Sequence, residues 1–148
     1  MDSPKSPAML DIFVNTEGVR KLLYNLNPYK ANGPDEVSGH FLKEAADELA
    51  EPLTFIFNAT LFQGEIPNIW KEALVTPIFK PGKKDRSKAE NYRSISLTSV
   101  ACKILEHIIC SNIMQHLEKF DILTNAQHGF RKKRLCETQL IKTVYDLA

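Results

Sequence analysis

The chain has 148 residues, 43% of them hydrophobic and 25% charged, with a formal net charge of +1. That length suits one domain with a real core, and no apolar run approaches the roughly 20 residues that span a bilayer. The opening MDSPKSPAML lacks the basic and apolar regions of a secretory leader. The expected setting is therefore intracellular and off the membrane, with nucleus and cytoplasm not distinguished.

Residues 1–15 read as a mobile start. Thr16 is placed to cap a helix whose Val19, Leu22, Leu23 and Leu26 share one face. NPYKANGPDE (27–36) is a loop by its Pro, Gly and Asn content. Ser38 precedes a helical segment with Phe41, Leu42, Ala45 and Leu49 on one side and acidic residues on the other. Pro52 suits the first turn of a further helix, PLTFIFNATLFQ, and Gly64 suits its stop. Pro67 opens a short turn that carries Trp70.

The period changes at Leu74. LVTPIFK and RSISL are short β-type runs around PGKKDRSKAENY, and Pro77 marks the first run as an edge strand. The connection is long for a hairpin, so a flexible, projecting arm is expected. Helix returns after Ser99, with Cys102, Leu105, Ile109, Ile113 and Leu117 at spacings of three and four. Cys102 and Cys110 are expected to be buried small hydrophobes there. The loop DILTNAQHGFRKKR separates this helix from a last one, ETQLIKTVYDLA. The expected fold class is α+β, predominantly helical, with one small antiparallel hairpin.

The near-neutral total conceals a split. Residues 1–74 carry 6 basic and 11 acidic side chains, whereas residues 75–148 carry 13 and 7. A basic half points to a polyanion-facing surface. Between Lys80 and Arg93 lie six basic residues (Lys80, Lys83, Lys84, Arg86, Lys88 and Arg93) and two acidic ones, a net of +4. One reading is a solvated loop. The other is a phosphate clamp, because pairing of the two runs brings Lys80 and Arg93 to neighbouring positions, and converging Lys and Arg side chains hold a triphosphate well. Phe79 and Tyr92 are either core residues or stacking platforms for a base. The PGKK around Gly82 is not a P-loop, since the earlier Gly and the following Ser/Thr are absent. A second basic run, Arg131 to Arg134, is either an ordinary surface run or a contact for a nucleic-acid backbone.

Cys102, Cys110 and Cys136 form no CxxC pair and no Cys/His ligand spacing, which argues for a reducing compartment and against structural zinc. His40, His107, His116 and His128 form no HExxH, and there is no GxSxG elbow. His128, in QHGF, reads as a local hydrogen-bonding residue.

The order KANGPDE, FLKEAADELAEPLTFIFNATLFQGEIPNIWKEALVTPIFKPG, NYRSISLTSVACKILEHII and LTNAQHGFRKKR resembles the reverse transcriptase of non-LTR retrotransposons of the jockey- and CR1-like kind, over residues 17–148. The resemblance implies the fingers and the start of the palm of a right-hand polymerase. It further implies that Lys80 and Arg93 meet the triphosphate of an incoming deoxynucleotide, and that Gly129, Phe130 and Arg131 lie near the template. Lys83, Lys84 and Arg86 complete the expected nucleic-acid-binding set, with RNA template and DNA primer as partners. Three motifs depart from the family pattern: Ser94 stands for the proline of NYRPISL, Glu36 for the last glycine of GPDG, and Lys133 and Leu135 for the glycine and serine of GFRKGRST. Such changes are compatible with a decaying copy.

The family's full-length enzyme needs carboxylates around two Mg²⁺ ions. Asp85 and Glu90 lie in the arm, Glu106 and Glu118 on a helix, Asp121 in a loop, and Glu137 and Asp146 on the last helix, so no catalytic or metal-binding set is expected. Residues 16–148 are thus expected to be a partial reverse transcriptase domain, ending before the catalytic aspartates, inactive alone and without a cofactor of its own. The alternatives are a non-catalytic RNA- or DNA-binding module and an inert relic whose apolar helix faces stand exposed. Oligomeric state is not legible.

Overall fold

The computed structural model describes residues 7–131 and 134–147. The chain divides into two compact units, residues 11–110 and the remainder. Helices dominate: α1 (Thr16–Tyr24), α2 (Gly39–Glu44), α3 (Ala46–Gln63), α4 (Val100–Lys119) and α5 (Cys136–Leu147), with one antiparallel pair, β1 (Leu74–Phe79) and β2 (Tyr92–Leu97).

The core of the first unit forms where α1 packs on α3. Val19 and Leu23 are fully buried, as are Ala46, Ala50 and Phe57. Two alanines a turn apart on α3 leave room for the larger α1 side chains, the size alternation that dense packing requires. Trp70, carried by the 3-10 turn Asn68–Lys71, closes the cluster against Phe57 with ring centroids 5.9 Å apart. The first turns of α4 add Val100, Ala101, Ile104 and Leu105.

Around α1 and α3 the structure departs from the sequence reading in three places, two of them helix boundaries. Asn15, not Thr16, caps α1: its side-chain oxygen accepts the Gly18 N–H at 2.6 Å, and Thr16 is the first helical residue. The two residues are adjacent cap formers, and only the backbone turn at Asn15 separates them. Of the segment read as a mobile start, Val14 is buried and its backbone is held at both N–H and C=O by the Asn58 side chain; residues 1–6 lie outside the described residues. The break expected before Pro52 falls instead at Ala45, so α3 runs through Pro52. Burial of Ala46, Ala50, Leu53 and Phe57 along one stripe outweighs the hydrogen bond that proline forfeits. The face is correspondingly shifted, with Leu42 and Ala46 inside and Phe41 55% exposed. Gly64 ends α3 in the left-handed conformation at φ 71°, as its position suggested.

Burial fades along α4. Cys102 is inside, but Cys110 is exposed, which corrects the expectation for the second thiol. In the remaining unit α5 has no buried residue, and Ile141, Val144 and Tyr145 are all exposed. Periodicity marks a face able to be buried, not one that is. No helix among the described residues is long and apolar enough to cross a membrane.

Candidate nucleotide and nucleic-acid interface

The β1–β2 register is Leu74↔Leu97 through Phe79↔Tyr92, with Ile78 opposite Arg93 and Pro77 opposite Ser94. The ladder continues one rung further, since the Lys80 N–H donates to the Asn91 carbonyl at 2.8 Å. Counting by twos from that rung makes Pro77–Ser94 a pair whose N–H positions face away from the partner strand. Proline therefore forfeits no ladder bond at 77, and Ser94 stands where a proline would be equally tolerated.

The same count places Lys80 and Arg93 on one face of the hairpin as diagonal neighbours rather than as a direct pair, since Lys80 faces Asn91. Diagonal positions are about 7–8 Å apart, within reach of long side chains. The two cations differ in state. Lys80 is half-buried and its Nζ donates to the Glu90 carbonyl at 2.8 Å. Arg93 is exposed, with no side-chain partner among the described residues.

The connection folds back on the hairpin instead of projecting as an open arm. Gly82, at φ 80°, turns the chain so that the Lys83 N–H reaches the Lys80 carbonyl. Asn91 is buried and donates from its side chain to the Asp85 carbonyl at 2.7 Å. The Tyr92 hydroxyl donates to the Arg86 carbonyl at 2.9 Å. Asp85 accepts both the backbone N–H and the hydroxyl of Ser87, which hold its carboxyl below the usual carboxylate range. Backbone groups that would otherwise need water are thus met by side chains of the arm itself.

Phe79 and Tyr92 are committed to the opposite hairpin face. Their rings meet edge-on with centroids 5.2 Å apart, and the Arg86 guanidinium lies 5.2 Å from the Phe79 centroid. They brace the arm, and Arg86 is turned inward by a cation–π contact. Lys83 and Lys84 are exposed without side-chain partners among the described residues. The sequence reading weighed Asp85 only as a charge and a candidate metal ligand and singled out neither Asn91 nor Ser87; an Asp two residues before a Ser, within a loop, is the pattern that signals this turn.

A loop called only a loop in the sequence turns out to anchor the hairpin's exit. A Cβ on Gly33 would sit 2.5 Å from the Thr98 carbonyl carbon and the Ser99 nitrogen. The NGPD loop therefore presses backbone to backbone against the junction of β2 and α4. Ser99 is fully buried there and receives the Cys102 N–H on its hydroxyl. Cys102 itself is pushed up to about 11 by burial, with the nearby Glu106 carboxylate adding to the shift, so it is an inert thiol.

The second basic run behaves differently. Arg131 donates to the Thr124 carbonyl at 3.1 Å, and Arg134 to both the carbonyl and the side-chain oxygen of Asn125, at 2.7 and 2.9 Å. His128 sits between Thr138, 2.9 Å from Nδ1, and Arg134, 3.3 Å from Nε2, a local hydrogen-bonding role. Lys132 and Lys133 lie outside the described residues. Gly129 has open space around it, and Phe130 is fully exposed at φ 60°. Among the described residues no three His, Cys, Asp or Glu side chains gather closely enough to hold a metal ion.

No protein-family model matches the chain. It is 31% identical, over 129 residues, to the probable RNA-directed DNA polymerase from transposon X-element of Drosophila melanogaster; the match covers 87% of this chain and 14% of that protein. The probable RNA-directed DNA polymerase from transposon BS of the same organism is also 31% identical, over 135 residues, covering 89% of this chain and 15% of that protein. The chain is similar to part of a transposon RNA-directed DNA polymerase. It spans 14–15% of the length of these curated relatives. Glu36, at φ 56°, occupies a left-handed turn for which glycine is the ordinary residue.

Proposed function

We propose that this chain is the fingers and the start of the palm of a non-LTR retrotransposon reverse transcriptase, jockey- or CR1-like, and that its hairpin binds the triphosphate of an incoming deoxynucleotide. The observation that carries the reading is the hairpin register, with Lys80 and Arg93 on one face two rungs apart and Arg93 unpartnered among the described residues. Lys80, tethered to Glu90, supplies a fixed point charge, and Arg93 a planar fork for two phosphate oxygens. Lys83 and Lys84 extend the positive surface for the backbone of an RNA template or DNA primer. In the other unit, Phe130 offers an open face on which a template base can stack. The Mg²⁺ ions of the whole enzyme are assigned to no residue here, because the described carboxylates do not fit them. Binding, not phosphoryl transfer, is this chain's own contribution.

The test is binding of a fluorescent deoxynucleoside triphosphate, followed by anisotropy, to the wild-type chain and to Arg93→Ala. Loss of charge-assisted bonds of ~1.5–3 kcal/mol should weaken binding by about 10- to 100-fold. Unchanged affinity in Arg93→Ala would overturn the reading. A second reading, a non-catalytic nucleic-acid-binding module, draws on the open Lys83 and Lys84. It gains if single-stranded oligonucleotides bind and the triphosphate fails to compete.

A further inference from the structure

We propose that Ser87 is an acceptor site for a basophilic serine/threonine protein kinase, which makes the basic arm a charge-controlled surface. Three independent features of the arm converge on this hydroxyl.

The first is access. Every residue from 81 to 90 is exposed, and residues 83–85 have no regular secondary structure. The other serines of the described chain are engaged elsewhere. Ser94 and Ser96 have their backbone in β2, Ser99 is fully buried under the α4 cap, Ser38 caps α2, and Ser111 is inside α4. A kinase needs its acceptor segment extended, which a ladder or a helix resists and this loop does not. To extend it, the side-chain bonds from Asn91 to the Asp85 carbonyl and from Tyr92 to the Arg86 carbonyl, the Arg86–Phe79 contact, the Asn91 N–H bond to the Lys88 carbonyl and the Asp85–Ser87 turn must open locally.

The second is charge pattern. Lys83, Lys84 and Arg86 stand four, three and one residues before Ser87. Kinases that choose basic substrates do so with carboxylates placed to meet cations upstream of the acceptor. Lys83 and Lys84 are exposed and without side-chain partners among the described residues, so both are free to be read.

The third is what the modification would change. The Ser87 hydroxyl donates to Asp85 at 2.6 Å, beside the Ser87 N–H bond to the same oxygen at 2.9 Å. In the transfer, Ser87 Oγ attacks the γ-phosphorus of ATP, the bond from that phosphorus to the bridging oxygen breaks, ADP leaves, and the hydroxyl proton passes to the kinase's base. The new group carries a charge of about −1.5 to −2 and places it against the Asp85 carboxylate. The Asp85–Ser87 turn loses its hydroxyl donor and gains a repulsion. The net charge from Lys80 to Arg93 falls from +4 to about +2.

The consequence for polyanion binding rests on the function proposed above, whereas the acceptor site does not, and the experiment separates them. The folded chain, verified by circular dichroism, is incubated with a basophilic kinase and Mg·ATP. Phosphate is then mapped by mass spectrometry in wild type, Ser87→Ala, and the Lys83→Glu/Lys84→Glu double variant. One phosphate at Ser87 is expected, absent from Ser87→Ala and incorporated about tenfold more slowly in the double variant. No incorporation into wild type, or equal incorporation into Ser87→Ala, overturns the proposal. The phosphorylated chain should then bind a single-stranded oligonucleotide about tenfold more weakly at low salt. Phosphate at Ser87 with unaltered oligonucleotide affinity upholds the acceptor site and sinks the polyanion-binding role of the arm.

Discussion

In the arm between β1 and β2, Lys83, Lys84 and Arg93 stand in solvent while neutral and acidic side chains (Asn91, Tyr92 and Asp85) meet the loop's backbone. In the loop before α5 the roles are exchanged: Arg131 and Arg134 themselves satisfy the carbonyls of Thr124 and Asn125. Both stretches look alike when charges are counted. They differ in how much of that charge is left for a partner, and a guanidinium already donating to a carbonyl must give up that bond before it can meet a phosphate. On the proposed reading the arm is the better polyanion surface, because the side chains of Lys83, Lys84 and Arg93 hold none of its structure, whereas Lys80 and Arg86 do, through the Glu90 carbonyl and the Phe79 ring.

That contrast can be broken at the arm's root. Gly33→Ala places a methyl group 2.5 Å from backbone at Thr98 and Ser99, where nothing flexible can yield. We expect a loss of about 3 kcal/mol in denaturant unfolding, and weaker oligonucleotide binding even though no cation has been touched. Wild-type stability in this variant would mean that the NGPD loop does not set the hairpin's exit.

The other loop supplies the next largest effect. Arg134→Ala removes the donors to both oxygens of Asn125 and the contact with His128. Hydrogen exchange across residues 122–135 should accelerate as if about 1–2 kcal/mol of local stability were lost. Arg93→Ala, with no side-chain partner among the described residues to lose, should leave exchange there and global unfolding within about 0.5 kcal/mol of wild type. Equal destabilisation by the two changes would erase the distinction between them.

A smaller effect is expected at Glu36, whose φ of 56° strains a side chain that glycine would not have. Glu36→Gly should stabilise the chain by about 0.5–1 kcal/mol, the relief of the left-handed strain less the added freedom of the unfolded state. Destabilisation would show that the Glu36 side chain makes a contribution that offsets its backbone.

Much of this architecture was legible from residues alone. β-type composition gave the hairpin and helical periods gave the helices, Gly64 ended α3, and the turn at Pro67 delivered Trp70 to the core. The failures have physical causes. Cap-forming residues stand side by side at Asn15 and Thr16, and the apolar stripe of α3 carries the helix through a proline. Cys110 lies on a periodic face that nothing covers. At the candidate site the sequence supplied the cations, and pairing of the two runs brought Lys80 and Arg93 to one face. It did not reveal that Phe79 and Tyr92 brace each other, or that Arg131 and Arg134 hold carbonyls, because those partners are set by loop geometry rather than by spacing.

The salt dependence of single-stranded oligonucleotide binding separates the two basic stretches most directly. Wild type is compared with Lys83→Ala/Lys84→Ala/Arg93→Ala and with Arg131→Ala/Arg134→Ala. If the arm is the phosphate-binding surface, the first variant lowers the slope of log affinity against log salt by about 2, at roughly 0.7 per cation, and the second changes it little. A full loss of slope in the second variant, with the first unchanged, would contradict that assignment and move the polyanion surface to the loop before α5.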